Sequence, residues 1–203
     1  MNFLAHSFLS GDNPKILIGN FIGDFVKGRN LLEQFDPDIA LGIELHRGID
    51  AFTDTHPIVA LSKQRLRPTY RHYSAVIVDM YYDHFLAANW QRYHTLPLQE
   101  YACQVYDILK ANEEMLPQQV KYMLSYMIPG NWLLNYAHTE GIHRALSGMA
   151  RRSRHESKME LAVHNLVEYY DEFEKEFTSF FPELQSFSAD FLFRTNNPDR
   201  LST

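Results

Sequence analysis

Cys103 is the only cysteine in this chain of 203 residues. A lone thiol excludes an internal disulfide and any cysteine-based zinc motif, so a reducing compartment is the natural setting. Cys103 itself reads as a small buried residue on a helix over 97–114. Glycine and proline are scarce, at nine each, and no stretch sustains the apolar and polar alternation of a half-buried strand. The expected class is therefore all-α. No apolar run is long enough to cross a membrane. The opening "MNFLAHSFLSGDNPK" lacks the basic leader and small-residue cleavage site of a secretory signal. A soluble, cytoplasmic protein is expected. Also missing are a Walker-type loop, a GxSxG elbow and an HExxH helix. The Glu-x-x-His at Glu140–His143 stands alone, whereas a di-iron bundle needs two such motifs and further glutamates.

What is present is ample apolar material, 45% of the residues, enough for one continuous core in a single compact multi-helix domain. Aromatics such as Tyr81, Tyr82, Trp90 and Trp132 read as core. Helix starts are written plainly. Asp12 or Asn13 caps a helix that Pro14 opens and that runs to about residue 27, and Asp36 and Pro37 do the same for 37–54. Further helices are expected near 58–67, 73–92, 97–114, 117–128, 139–150 and 156–181.

The net charge of -6 argues against bulk nucleic-acid binding. It conceals an asymmetry. No acid falls between Thr55 and Val78, where Lys63, Arg65, Arg67 and Arg71 lie, and none between Gly141 and His155, which hold Arg144, Arg151, Arg152 and Arg154. Acids gather in "EYYDEFEKEF". A basic side and an acidic side are expected.

The polar residues that face inward carry the chemistry. On the 37–54 helix, Ile39, Ile43, His46 and Asp50 follow spacings of four, three and four, so the last two continue the apolar stripe. Asn20 and Asp24 sit four apart in a run of Ile, Leu and Phe. "VIVDMYYDHF" puts Asp79 and Asp83 on one side with His84 adjacent, and "NFLAHSFL" embeds His6. Any one of these fits a hydrogen-bonded core residue. Their coincidence on four segments favours a His/Asp metal site, whose donor set suits Mn, Fe, Mg or Zn.

Taken together, "MNFLAH", "GNFIGDFVKG", "LHRGIDAFTD", "DMYYDHFLA" and "PLQEY" resemble the acyl carrier protein phosphodiesterase family. The likeness runs in order from Met1 to at least "GMARR". It implies a bacterial cytoplasmic hydrolase that removes 4'-phosphopantetheine from holo acyl carrier protein with a divalent metal, Mn first and Mg or Fe as alternatives. It also implies an HD-like helical phosphohydrolase fold, although no His here directly precedes an Asp. On this reading the ligands come from His6, Asp24, His46, Asp50 and Asp79. Asp83 is either a ligand or the residue that orients His84. His84 serves as general acid, and Arg47 and Lys27 meet the phosphate.

The acidic carrier protein would dock on Lys63, Arg65, Arg67 and Arg71, with "ARRSRH" as second choice. Membrane and nucleic-acid partners are not expected. The residues alone leave open an HD-like hydrolase of small nucleotides, an iron-dependent oxygenase and a noncatalytic binding protein.

Overall fold

Local grammar sets the helix starts. The side chains of Asn13 and Asp36 accept hydrogen bonds from the backbone N–H groups of Lys15 and Asp38, each beside a proline at the first helical position. The cap before Pro14 is thus Asn13, not Asp12. His56 caps the next helix in the same way, its ring accepting from Ile58 N–H. The computed structural model describes residues 1–196, and among them there is no strand.

The α-helices are α1 (Phe3–Phe8), α2 (Pro14–Ile22), α3 (Pro37–Thr55), α4 (Pro57–Tyr70), α5 (Ser74–Ala88), α6 (Leu98–Ala111), α7 (Gln118–Met127), α8 (Trp132–Asn135), α9 (Thr139–Arg152), α10 (Ala162–Glu168) and α11 (Tyr170–Asn196). None is long and apolar enough to cross a membrane. The core forms around α5, which buries every residue from Met80 to Ala87. It packs against α1, α4, α9 and α11. From α11 come Phe173, Phe177, Phe180 and Phe181, all fully buried, each stabilising the fold by roughly 1.5–3 kcal/mol before entropy is counted. Tyr81, Tyr82 and Trp90 are core residues as expected. Trp132 is half-buried.

Four expectations need correction. The helix placed over 156–181 is instead a 3-10 turn at Met159–Leu161, then α10 and α11. The left-handed backbone of Lys158 (φ 57°) prevents an earlier start, and Pro182 is accommodated inside α11. The helix over 14–27 stops at Ile22 and tightens into a 3-10 turn at Gly23–Phe25. Cys103 is exposed, because the buried face of α6 is Leu98, Ala102, Val105, Tyr106 and Leu109.

The charged segments also fail to form separate sides, because α11 lies against α4. Arg65 gives two hydrogen bonds to the Glu176 carboxylate, at 2.7 and 2.9 Å, and stacks over Phe173. Lys63 pairs with Asp54 at 2.7 Å.

The tightest crossing is that of α2 on α3. A Cβ on Gly19 would stand 2.0 Å from the Ile39 carbonyl oxygen, and one on Gly42 would stand 2.2 Å from that of Ile16. Neither backbone can retreat without opening the interface. Gly42→Ala should therefore destabilise the protein by about 2 kcal/mol or more, although alanine favours a helix by about 1 kcal/mol. Urea unfolding will measure it, and an unchanged midpoint would show that the helices can slide apart freely.

Candidate metal centre

The glycine crossing sets up the site one turn further along. Gly23 follows Gly19 by four residues and His46 follows Gly42 by four, so the His46 ring lies over Gly23. A Cβ there would meet His46 Cγ at 2.3 Å. The His6 ring, carried in from α1, stacks on that of His46 with centroids 4.0 Å apart. Both rings are buried.

Asn20 determines how the two rings are used. Its amide nitrogen donates to the His6 carbonyl and to Ser10 Oγ, at 2.8 and 3.0 Å. Its amide oxygen therefore accepts from His6 Nδ1–H at 2.7 Å. The Asn20 backbone carbonyl accepts from His46 Nδ1–H, also at 2.7 Å. With both Nδ1 positions committed as donors, each ring turns its Nε2 to the same point.

Asp50 meets them there. Its Oδ1 is 3.3 Å from His6 Nε2 and its Oδ2 is 3.2 Å from His46 Nε2. Asp24, at the solvent edge on the 3-10 turn, brings Oδ1 to 3.3 Å from the same His46 nitrogen. Ligand atoms of His6, His46 and Asp50 all lie within 4.8 Å of one another.

Electrostatics follow from this packing. Burial holds His6 down to about 4, outweighing its neighbour Asp50, so the ring is neutral at ordinary pH. Its buried Nε2 makes no hydrogen bond, which leaves a lone pair without a partner. Burial also opposes charge on His46, but hydrogen bonds to Asp24 and Asp50 prevail and raise it to about 9. Asp50 is held well below the usual carboxylate range despite burial, chiefly by its hydrogen bond from the protonated His46 ring. A buried imidazole nitrogen with no partner, a second imidazole aimed at the same point and a carboxylate between them fit a divalent cation. His6, His46 and Asp50 could hold it, with Asp24 beside them.

Other expected site residues lie elsewhere or do other work. Asp79 accepts from the Met1 amino group at 2.8 Å. Asp83, fully buried, accepts from the backbone N–H groups of Asn2, Leu4 and Ala5, and burial pushes its carboxyl up to about 7. These two acids anchor the start of α1 rather than joining the cluster: Asp79 holds the amino group of Met1, and Asp83 takes N–H groups that a helix start leaves unpaired. His84 gives Nδ1–H to the Tyr136 carbonyl at 2.8 Å and accepts from the Tyr170 hydroxyl at 3.1 Å. Both ring nitrogens are occupied, and burial lowers its pKa.

Arg47 reaches back to the carbonyls of Val26 and Gly28, at 3.3 and 2.9 Å. It thereby holds the turn that presents Asp24. Lys27 is exposed on that turn. Of the four docking residues, Lys63 and Arg65 are taken up within the fold as described, whereas Arg67 and Arg71 are exposed. The structure adds Asn20 and Gly23 to the site. The four-residue spacing of Gly19 and Gly23 was the available signal for the second, and an asparagine buried in an apolar helix was the signal for the first.

Comparison with known proteins identifies relatives of the whole chain. Residues 1–184 match the family model described as acyl carrier protein phosphodiesterase. A relative from Photorhabdus laumondii carrying that name is 32% identical over 183 residues, 90% of this chain and 92% of its own. One from Yersinia enterocolitica is 32% identical over 195 residues, covering 94% and 98%. One from Escherichia coli is 33% identical over 185 residues, covering 91% and 95%. No solved structure gives a significant match. With the match spanning the cluster and most of the helices around it, the chain belongs to the acyl carrier protein phosphodiesterase family.

Proposed function

We propose that this protein hydrolyses the phosphodiester joining 4'-phosphopantetheine to a serine of holo acyl carrier protein, releasing the apo form. His6, His46 and Asp50 would hold a divalent metal, Mn before Mg or Fe. The observation that carries this reading is the pair of imidazoles whose Nδ1–H groups are already engaged by Asn20 and whose Nε2 atoms converge on Asp50. Family membership supplies the substrate class. An HD-like helical phosphohydrolase architecture and a cytoplasmic location belong to the same proposal.

A bound divalent ion supplies ionised water at neutral pH and a Lewis acid for the phosphoryl oxygens. The chain's own groups do the rest. Asp50 and Asp24 bring negative charge to match the cation, and Asn20 prevents either imidazole from turning its Nε2 away. Asp24, exposed at the edge of the cluster, is placed to exchange a proton with solvent or substrate. Lys27 stands three residues on, free to meet a phosphate oxygen. His84 is poorly suited as the acid for the leaving serine, since it is neutral and both its nitrogens are engaged. Arg47 acts through the Asp24 turn as a positioning residue.

The reading is tested by incubating the full chain with holo acyl carrier protein and Mn and weighing the carrier protein by mass spectrometry. Loss of the prosthetic group is expected, and an unchanged mass with Mn, Mg and Fe alike would overturn it. A second expectation concerns protons. His46 carries one below about pH 9 while His6 is neutral down to about 4, so metal binding displaces one proton between pH 7 and 8. Affinity for Mn should rise about tenfold per pH unit over that interval. Calorimetric titration in two buffers of different ionisation enthalpy will count the proton, and a pH-independent affinity would remove His46 from the ligand set.

A further inference from the structure

A groove of about 700 Å³ begins at the turn that carries Asp24 and runs between α7 and α9. Its near end is formed by Phe25, next in sequence to Asp24, and by Phe3 of α1. Its long walls are two facing stripes at helical spacing. From α7 come Gln119, Tyr122, Met123 and Tyr126, and from α9 come Arg144, Ala145, Gly148, Met149 and Arg152. The inner faces of these helices are accounted for separately, by Val120, Leu124 and Met127 on one and Ile142 and Leu146 on the other. Met123, Ala145 and Met149 rest on the core at the groove floor and are only partly buried, while Tyr122 and Tyr126 rise from it. Tyr122 and Tyr126 are 67% and 56% exposed, large aromatics that among the described residues pair only with each other.

We propose that this groove seats the pantetheine arm of the carrier protein, with the phosphate end at Asp24 and the thiol end directed between α7 and α9. The proposal rests on the phosphodiesterase reading for the identity of the arm. Its physical basis is separate. The volume lies within the roughly 300–1,000 Å³ typical of small-molecule sites. The lining combines apolar and aromatic walls with isolated amide and hydroxyl groups, which matches a slender chain of methylenes and amides. Every charged lining residue is an arginine, in a protein whose net charge is -6. That sign suits a substrate that is anionic at its phosphate and on the protein bearing it.

His84 gains a role here. Its hydrogen bond to the Tyr136 carbonyl fastens a residue of the groove wall to α5.

Gly148 offers the test. A Cβ at this position meets only the tip of Arg152, at 3.6 Å, so a larger side chain fills the groove without disturbing the core. Full-length wild type, Gly148→Ala and Gly148→Phe are compared by saturation-transfer NMR with free pantetheine, by affinity for apo carrier protein, and by KM for holo carrier protein. In Gly148→Phe, pantetheine binding should be lost and KM should rise about tenfold or more, with apo carrier protein affinity retained. Gly148→Ala, which adds one methyl group to the same wall, should raise KM far less than Gly148→Phe does.

Met149→Ala removes a wall residue and should weaken pantetheine binding even if the phenylalanine variant folds poorly. Failure of wild type to bind pantetheine, or indifference to both Gly148→Phe and Met149→Ala, overturns the proposal. So does a parallel loss of apo carrier protein affinity, which would make the groove a seat for the carrier's own surface. Pantetheine binding that Gly148→Phe abolishes, in a wild-type chain that cleaves no holo carrier protein, would leave the groove standing and refute the phosphodiesterase reading.

Discussion

Asp50→Asn is expected to lower kcat/KM with Mn by about a thousandfold or more while leaving the fold intact. Asparagine has nearly the same shape, so packing on α3 is preserved. The charge that stands between the two imidazoles is lost. Asp50 approaches His6 Nε2 with one oxygen and His46 Nε2 with the other, at 3.3 and 3.2 Å, and among the described residues no other spans both. A metal contribution of several kcal/mol to the barrier corresponds to the expected factor. Removal of the carboxylate also strips His46 of one of the two acids that raise it to about 9, so the ring should titrate lower in the variant, a shift visible by proton NMR in metal-free protein. Steady-state kinetics and metal content after dialysis give the direct readout. Retention of more than about a tenth of the activity would remove Asp50 from the site.

Asn20→Leu should be the most damaging change away from the ligands themselves. Asn20 is fully buried and its side chain serves His6 Nδ1, the His6 carbonyl and Ser10 Oγ at once. Leucine fills similar space but leaves these groups without their partner in a dry interior. A loss of about 2–4 kcal/mol in unfolding free energy is expected. Metal affinity should fall about 10–100-fold as well, because His6 is no longer held in its ring orientation. His46 is anchored to the Asn20 backbone carbonyl, which leucine keeps, so the two rings should respond differently. Asn20→Asp, which retains an acceptor for His6 but not the donors, separates the two effects. Unfolding curves together with Mn titrations decide, and a variant with full metal affinity would show that His6 needs no orienting partner.

Much of this site can be read from one-dimensional spacing. His46 and Asp50 continue an apolar stripe along α3, and a helix that must bury that stripe has no choice but to turn them inward. His6 sits in an apolar run, whereas Asp24, expected to face inward with Asn20, comes directly after the buried run and is exposed, because the helix tightens into a 3-10 turn at Gly23. The same reasoning applied to Asp79 and Asp83 identifies polar groups on α5 that need partners, yet it assigns them the wrong ones. Those partners are the Met1 amino group and three backbone N–H groups at the start of α1, about 80 residues away along the chain. Periodicity reports which face of a helix is covered, not what covers it.

The basic segment of α4 gives the same lesson on the surface. A run free of acids reads as a docking face, but α11 folds across it and brings Glu176 to Arg65. Of the α9 arginines, all exposed, Arg144 and Arg152 border the groove beside the candidate metal centre. Nothing in the order of residues announces that groove. Its walls come from α7, α9 and the Asp24 turn, which become neighbours only when the helices pack.

What the sequence by itself determined is the all-helical class, the capped starts of α2 and α3, and the inward placement of His6, His46 and Asp50. These depend on interactions within a few residues or on a single periodic face. Only the tertiary structure decided that Asn20 orders both imidazoles, that Gly23 makes room for one of them, that Arg47 braces the Asp24 turn and that Asp79 and Asp83 serve α1. Such contacts are directional and join distant segments, so their geometry exists only once the α2 and α3 backbones have closed on each other at Gly19 and Gly42.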